Sequence, residues 1–185
     1  MAGYAHYKNS KISVQNFEPL FNTQWSLVVT PPPSINGWDL VLESITSVGG
    51  LETNKMPGII TQKYKGTDRS FVGGLVEGTF VDLTINFEVN LNDANSAFTF
   101  KELRKWCDLA YDPLTGRFGL KKDYIGGPAV LSAHNKAGEV YRQWTFPTIF
   151  PTTAMPAQTF DYEADGIYKI EGMIFRADFW DEVIL

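Results

Sequence analysis

The chain is poor in the residues that usually carry chemistry, with one cysteine and two histidines in 185 residues. The single thiol, Cys107, excludes an intrachain disulfide framework, and nothing in the sequence requires an oxidising compartment. His6 and His134 each lack a local partner at metal-ligand spacing and are read as surface residues. Basic charge is also short, with 16 Lys and Arg against 21 Asp and Glu and a net charge of −5. That balance argues against binding nucleic acid by neutralising its phosphates. It is compatible with a surface that a polyanion slides past. No stretch approaches the ~18 consecutive apolar residues of a membrane span, so no membrane anchoring is expected. The first eight residues lack the apolar run of a secretory signal, and the expectation is a soluble protein made in a cytoplasm.

Catalytic motifs are missing as well. No G-x-S-x-G, HExxH, Walker A or GxGxxG pattern occurs, so no enzyme activity, catalytic residue or cofactor is expected. One segment imitates the start of a calcium loop: Asp161, Glu163, Asp165 and Gly166. The bidentate glutamate such a loop needs would fall at position 172, which is glycine, and Glu163 is too long for its slot. An acidic turn is the better reading, and no metal site is expected. Cys107 sits among apolar residues, where a thiol behaves as a small hydrophobe. There is no internal repeat and no low-complexity segment.

What is present is an ordinary globular composition, 44% apolar, 20% charged and 14% aromatic. The length fits one domain able to bury roughly 70% of the surface of its unfolded chain. Sixteen glycines and ten prolines scattered between apolar runs suggest many turns joining short strands. Residues 1–22 read as an irregular arm and 23–185 as a single domain. A short strand around Trp25, Leu27 and Val29 stops at Pro31-Pro32-Pro33. A second is expected from about Trp38 to Val48, after the turn chemistry of Asn36-Gly37.

The clearest signal spans residues 81–91. Val81, Leu83, Ile85, Phe87, Val89 and Leu91 alternate with Asp82, Thr84, Asn86, Glu88 and Asn90. Period two of this length marks a long strand with one buried and one wet face. A helix follows, in which Phe100, Leu103, Trp106, Cys107 and Ala110 share a face and Lys101, Arg104, Lys105 and Asp108 lie opposite. Thr99 and Glu102 have capping-box spacing, and Asp112-Pro113 closes the segment. Ala129–His134, a turn at 135–138 and a strand from Glu139 to about Phe146 form a hairpin. In the last strand, roughly Ile167 to Trp180, the apolar phase changes, which predicts a bulge near Met173-Ile174. Many strands and one helix give a mainly β fold: a small antiparallel β-barrel or sandwich with one flanking α-helix and an extended hairpin.

Three segments carry a resemblance. Lys65-Gly66-Thr67-Asp68-Arg69-Ser70-Phe71, followed by the alternating strand, resembles a short charged turn found in the tail tube proteins of contractile-tailed phages. Gln143-Trp144-Thr145-Phe146 with Ile149-Phe150-Pro151-Thr152 resembles the aromatic strand and aromatic-proline step of that family. Phe175-Arg176-Ala177-Asp178-Phe179-Trp180 is similar to its terminal strand. The matches keep the family's order over roughly residues 23–181. The N-terminal arm, Pro31-Pro32-Pro33 and Gly73-Gly74 depart from it.

The resemblance implies a structural subunit that forms hexameric rings. Those rings would stack into the inner tube of a contractile phage tail or injection system, within a virion tail or injection particle assembled in the bacterial cytoplasm. It also implies partners: copies of itself, a sheath protein, baseplate and tube-terminating proteins, and DNA or effectors passing through the lumen without sequence-specific binding. On this reading Asp82, Thr84, Asn86, Glu88 and Asn90 are lumen-facing candidates whose carboxylates would repel phosphates. The hairpin at about 59–73 is the candidate inter-subunit arm, with Lys63, Lys65, Asp68, Arg69 and Phe71 as its contact residues. Residues 159–185 hold Asp161, Glu163, Asp165, Glu171, Asp178, Asp181 and Glu182 against Lys169 and Arg176, an acidic counterpart that would favour head-to-tail association. Two alternatives stand beside it. One is a baseplate or tube-terminating ring protein of the same machine. The other is a carbohydrate-binding β-sandwich, which would need a platform of exposed tryptophans where Trp25, Trp106 and Trp144 read as core.

Overall fold

The computed structural model describes residues 23–51, 59–73, 80–89, 98–157 and 166–185. The remaining positions, which include the expected arm at 1–22, His6, Asn90, Leu91, Asp161, Glu163 and Asp165, lie outside the described residues.

Two four-stranded antiparallel sheets face each other. The first contains β1 (Trp25–Val29), β8 (Ala129–His134), β9 (Val140–Phe146) and β12 (Asp181–Ile184), in that spatial order. The second is ordered β10 (Phe150–Pro151), β11 (Lys169–Ala177), β5 (Val81–Glu88) and β2 (Ile45–Gly49). Leu27, Val29, Leu131, Trp144 and Phe146 from the first meet Leu83, Ile85, Phe87, Met173 and Phe175 from the second in one core. This mainly β, sandwich-like architecture is the fold class expected from the strand pattern.

β5 shows why. Val81, Leu83, Ile85 and Phe87 are buried while each residue between them stays half-buried, so the period of the sequence is the period of the burial. β5 is also an interior strand, paired with β11 on one side and β2 on the other. The expected bulge in β11 is present but sits earlier, between Ile170 and Met173. Gly172 takes it with φ +77, a left-handed conformation that glycine adopts without steric cost. The β8–β9 hairpin forms as expected, and Asn135 closes its turn by accepting from the N–H groups of Ala137 and Glu139, both at 2.9 Å.

One expectation is corrected around residue 40. Trp38–Glu43 is a short helix, α1, and β2 begins only at Ile45. Trp38, Val41, Leu42 and Ile45 follow helical spacing, and the helix turns Trp38 and Val41 into the core. The expected helix is α2 (Phe98–Ala110), followed by a two-stranded ribbon, β6 (Tyr111–Asp112) with β7 (Arg117–Phe118), and a single turn, α3 (Lys121–Tyr124). Thr99 does not cap α2. It lies inside the helix, buried, with its hydroxyl 3.0 Å from that of Ser44. α2 closes one side of the sandwich through Trp106, whose ring meets Trp38 at 5.0 Å and Phe175 at 5.4 Å edge-on, and whose N–H donates to the Tyr124 carbonyl at 2.7 Å. Gly126 permits this approach: a Cβ there would stand 2.8 Å from the Thr30 carbonyl oxygen and 2.9 Å from the Trp106 ring.

Candidate assembly surfaces

Among the described residues, no three His, Cys, Asp or Glu side chains converge on a metal-sized site. Cys107 points inward from α2, and burial, with Asp108 beside it, pushes its thiol up to about 12. His134 is half-buried at the surface, with Ser26 Oγ 2.9 Å from Nε2 and the Gly138 carbonyl 3.3 Å from Nδ1. None of the five tryptophans is exposed, so the platform of a carbohydrate-binding module is missing. No helix among the described residues is long and apolar enough to cross a membrane.

Surfaces are therefore the features to read. On β5, Asp82, Thr84, Asn86 and Glu88 all lie on the face turned away from the core. They are not free. Asp82 receives two 2.8 Å hydrogen bonds from Nε and Nη2 of Arg176, and the guanidinium also lies 4.1 Å from the Phe80 ring centroid. The Asp82 carboxylate raises the pKa of that guanidinium above its ordinary value. Asn86 accepts from the Gly172 N–H at 2.7 Å and donates to Ser47 Oγ at 2.8 Å, tying the bulge of β11 and the edge strand β2 to the centre of the sheet. Lys169 stands opposite Glu88 in register. Arg176 and Lys169 thus stand across from the two carboxylates of β5, and the exposed Glu171 of the bulge adds a third acid to the same sheet.

Among the described residues, the hairpin of β3 (Ile59–Tyr64) and β4 (Thr67–Val72) pairs only with itself. Its two-residue turn, Lys65 at φ 46 and Gly66 at φ 80, has both residues left-handed, the geometry whose twist suits a tight hairpin. Lys63 stands opposite Asp68 in register, and Gln62 opposite Arg69. Ile59, Ile60, Phe71 and Val72 are 73%, 54%, 52% and 62% exposed. Lys63, Lys65, Asp68, Arg69 and Phe71 all lie on this one hairpin. Its acidic counterpart is partly consumed: Asp178 pairs with Lys121 and Glu182 with Arg142.

No family model matches the sequence, and no curated protein matches it by sequence. Solved structures do match in shape, among them the following three. The anti-feeding prophage cap, described as the AFP tube terminating cap, superposes with a TM-score of 0.59 at 18% identity over 100% of both chains. A chain of the sheath-tube complex of an extracellular contractile injection system, PVC, gives 0.56 at 17% identity over 95% of this chain and 100% of that one. A chain of the PVC sheath/tube terminator gives 0.55 at 18% identity over 91% and 99%. This chain shares their fold.

That fold leaves other surfaces that sequence reasoning missed. The β6–β7 ribbon exposes Leu114, Phe118 and Leu120 at its tip and flank. A cleft of about 860 Å³ opens between β1 and β2, where the two sheets part. The cleft arises from strand order, which short-range pattern does not reveal.

Proposed function

We propose that this chain is a structural subunit that closes into a ring at the end of the inner tube of a contractile injection machine. The reading is the tube-terminating alternative in preference to the repeating tube subunit. The observation that carries it is the likeness, over the full length of both chains, to the tube terminating cap. The likeness to a terminator chain of a second such machine supports the same place. The projecting hairpin supports self-assembly independently, because a two-stranded hairpin is marginal alone in water and this one carries four exposed large apolar residues at its base.

In this reading the ring is a hexamer within the injection particle, its neighbours are tube and sheath proteins, and DNA or effectors pass through or stop at its lumen. The outward face of β5, with Asp82, Thr84, Asn86 and Glu88, is the lumen candidate. Lys63, Lys65, Asp68, Arg69 and Phe71 make the arm to an adjacent subunit. The protein acts by shape and self-association, without catalysis. A repeating tube remains the second reading, favoured by the likeness to a chain of the sheath-tube complex.

Negative-stain microscopy of the purified chain across a wide concentration range separates them. Discrete rings that do not lengthen support the terminator. Hollow tubes of growing length support the repeating subunit. Monomers under every condition, with or without purified tube protein, would end both.

A further inference from the structure

The Asn36-Gly37 pair, turn chemistry by sequence, has a second property in its structural setting. It is the one Asn-Gly pair in the chain. Both residues are exposed, yet Ile35 before them and Trp38 after them are buried, at 6% and 7% exposure. The Ile35 N–H donates to the Pro32 carbonyl at 3.0 Å, which fixes the approach, and Trp38 opens α1 with its ring against Trp106. Asn36 and Gly37 thus bridge two anchored points with their own groups in solvent.

Gly37 is pinned by its backbone. It stands at φ 66 and ψ 31, a left-handed conformation that an L side chain adopts only with strain, and it turns the chain into α1. The fold therefore keeps beside an asparagine the one residue type with no Cβ to crowd its N–H. Among the described residues no hydrogen bond holds the Asn36 amide, and none holds the Gly37 N–H. The other described asparagines differ. Asn86 accepts from the Gly172 N–H and donates to Ser47 Oγ. Asn135 accepts from the N–H groups of Ala137 and Glu139 and donates to the Glu139 carboxylate. The residues that follow them, Phe87 and Lys136, both carry a Cβ.

We infer that Asn36 is a site of spontaneous deamidation and isoaspartate formation. The Gly37 nitrogen gives up its proton to solvent and attacks Cγ of Asn36. A bond forms between that nitrogen and Cγ, and the Cγ–Nδ2 bond breaks. The side-chain nitrogen leaves as ammonia, taking a proton from water, and a five-membered succinimide is closed. Water then opens the ring. Attack at Cγ breaks the new bond and leaves aspartate in an unchanged main chain. Attack at the main-chain carbonyl carbon breaks the original peptide bond and leaves isoaspartate, in which the chain runs through the side-chain carbons. Either route exchanges one amide nitrogen for one oxygen from water, with no oxidant or reductant, and adds a negative charge.

The two products differ in what they do to the fold. Isoaspartate adds one carbon to the main chain just ahead of Trp38, a displacement of about 1.5 Å. Trp38 meets Trp106 edge-on at 5.0 Å, and Val41 on the next turn is fully buried. A close-packed core has no slack for a shift of that size. Aspartate adds only charge, at an exposed position.

The test is incubation of the full-length chain at mildly alkaline pH, followed by peptide mapping with fragmentation that distinguishes aspartate from isoaspartate. Conversion is expected at Asn36 ahead of the other described asparagines. Asn86 and Asn135 should lag by roughly tenfold or more, because freeing either amide breaks at least two hydrogen bonds. Asn36→Gln, whose longer side chain would have to close a larger ring, should stay unconverted at that position and melt like the parent. Conversion that appears only after unfolding in urea would mean that the folded turn shields the pair, and would overturn the proposal. Earlier conversion at Asn86 or Asn135 would overturn it as well. Once separated by ion exchange, the isoaspartate form should melt at least about 2–4 °C below the Asn36→Asp variant, the shift that a small loss of packing gives in a chain of this size. Equal melting would overturn the displacement of Trp38.

Discussion

Two hairpins in this molecule have similar length and tight turns, yet opposite fates. β8–β9 sits between β1 and β12, and Ala129, Leu131, Trp144 and Phe146 disappear into the core on one face. β3–β4 stands apart, and its apolar residues split between two faces: Ile59 pairs with Val72 on one and Ile60 with Phe71 on the other. A hairpin with a single apolar face needs one layer to cover it. A hairpin apolar on both faces near its base needs a partner on each side, and among the described residues no other strand pairs with it. The contrast separates residues that hold the subunit together from residues that, on the proposed reading, are buried only on assembly.

The sharpest way to break that comparison is at Phe146, which is fully buried. Phe146→Ala should lower the unfolding free energy by about 3–5 kcal/mol, the usual loss for an aromatic ring removed from a packed core. Urea unfolding followed by tryptophan fluorescence measures it. A loss below about 1 kcal/mol would mean that the β8–β9 hairpin is no better anchored than the free one.

A smaller effect is expected at Asp82, whose carboxylate forms two hydrogen bonds to Arg176 across the strand pair. Both side chains are more than a third exposed, so solvent screens the pair. Asp82→Asn should cost roughly 0.5–1 kcal/mol, near the upper end for such surface pairs because the geometry is bidentate. The cost should shrink in high salt. A salt-independent loss would point instead to packing against Phe80.

Much of the sandwich was legible from sequence because its signals are local. The alternation over 81–88 specified a strand with one buried face, Asn135 to Gly138 specified a turn, and the change of apolar phase before Phe175 announced the bulge. The bulge fell at Glu171-Gly172 and not at Met173-Ile174 because only glycine there takes the left-handed backbone at no steric cost. α1 was misread because Trp38, Val41, Leu42 and Ile45 fit a buried strand as well as one face of a helix, and only tertiary packing decides. The candidate surfaces divide in the same way. The hairpin and the outward set on β5 could be named in advance. The pairing of Asp82 with a residue 94 positions away could not, nor could the cleft between β1 and β2. Both depend on which strands become neighbours.

A local test of turn chemistry comes next. Asp112 accepts from the Leu114 N–H at 2.9 Å and from the Thr115 hydroxyl at 2.6 Å, and these bonds hold its carboxyl below its ordinary value of 3.8. A depressed folded-state value means the carboxylate form contributes stability above pH 3.8, and that this is lost as pH falls through the lower folded value. The β6–β7 ribbon should therefore loosen in acid before the two main sheets do. Amide exchange at Leu114 and Gly116 between pH 5 and about 2.5 would record it, after correction for intrinsic rates. Protection that stays constant over that range would mean the turn holds without the charge.

The smallest effect on the isolated subunit is expected at Phe71, and it bears most directly on function. Phe71 is half-exposed and lies opposite Ile60 on a hairpin that touches neither main sheet by pairing. Phe71→Ser should change monomer stability by less than about 0.5 kcal/mol, as for surface positions in general. Its effect on association should be far larger, because an aromatic anchor enclosed by a partner typically costs about 2 kcal/mol or more when truncated. That corresponds to roughly a thirtyfold weakening, since 1.4 kcal/mol is a factor of ten. Sedimentation of the variant at matched concentration measures it against unfolding of the same sample. If stability fell and assembly held, Phe71 would belong to the subunit core, and the hairpin would be a strut of the fold with no part in joining copies.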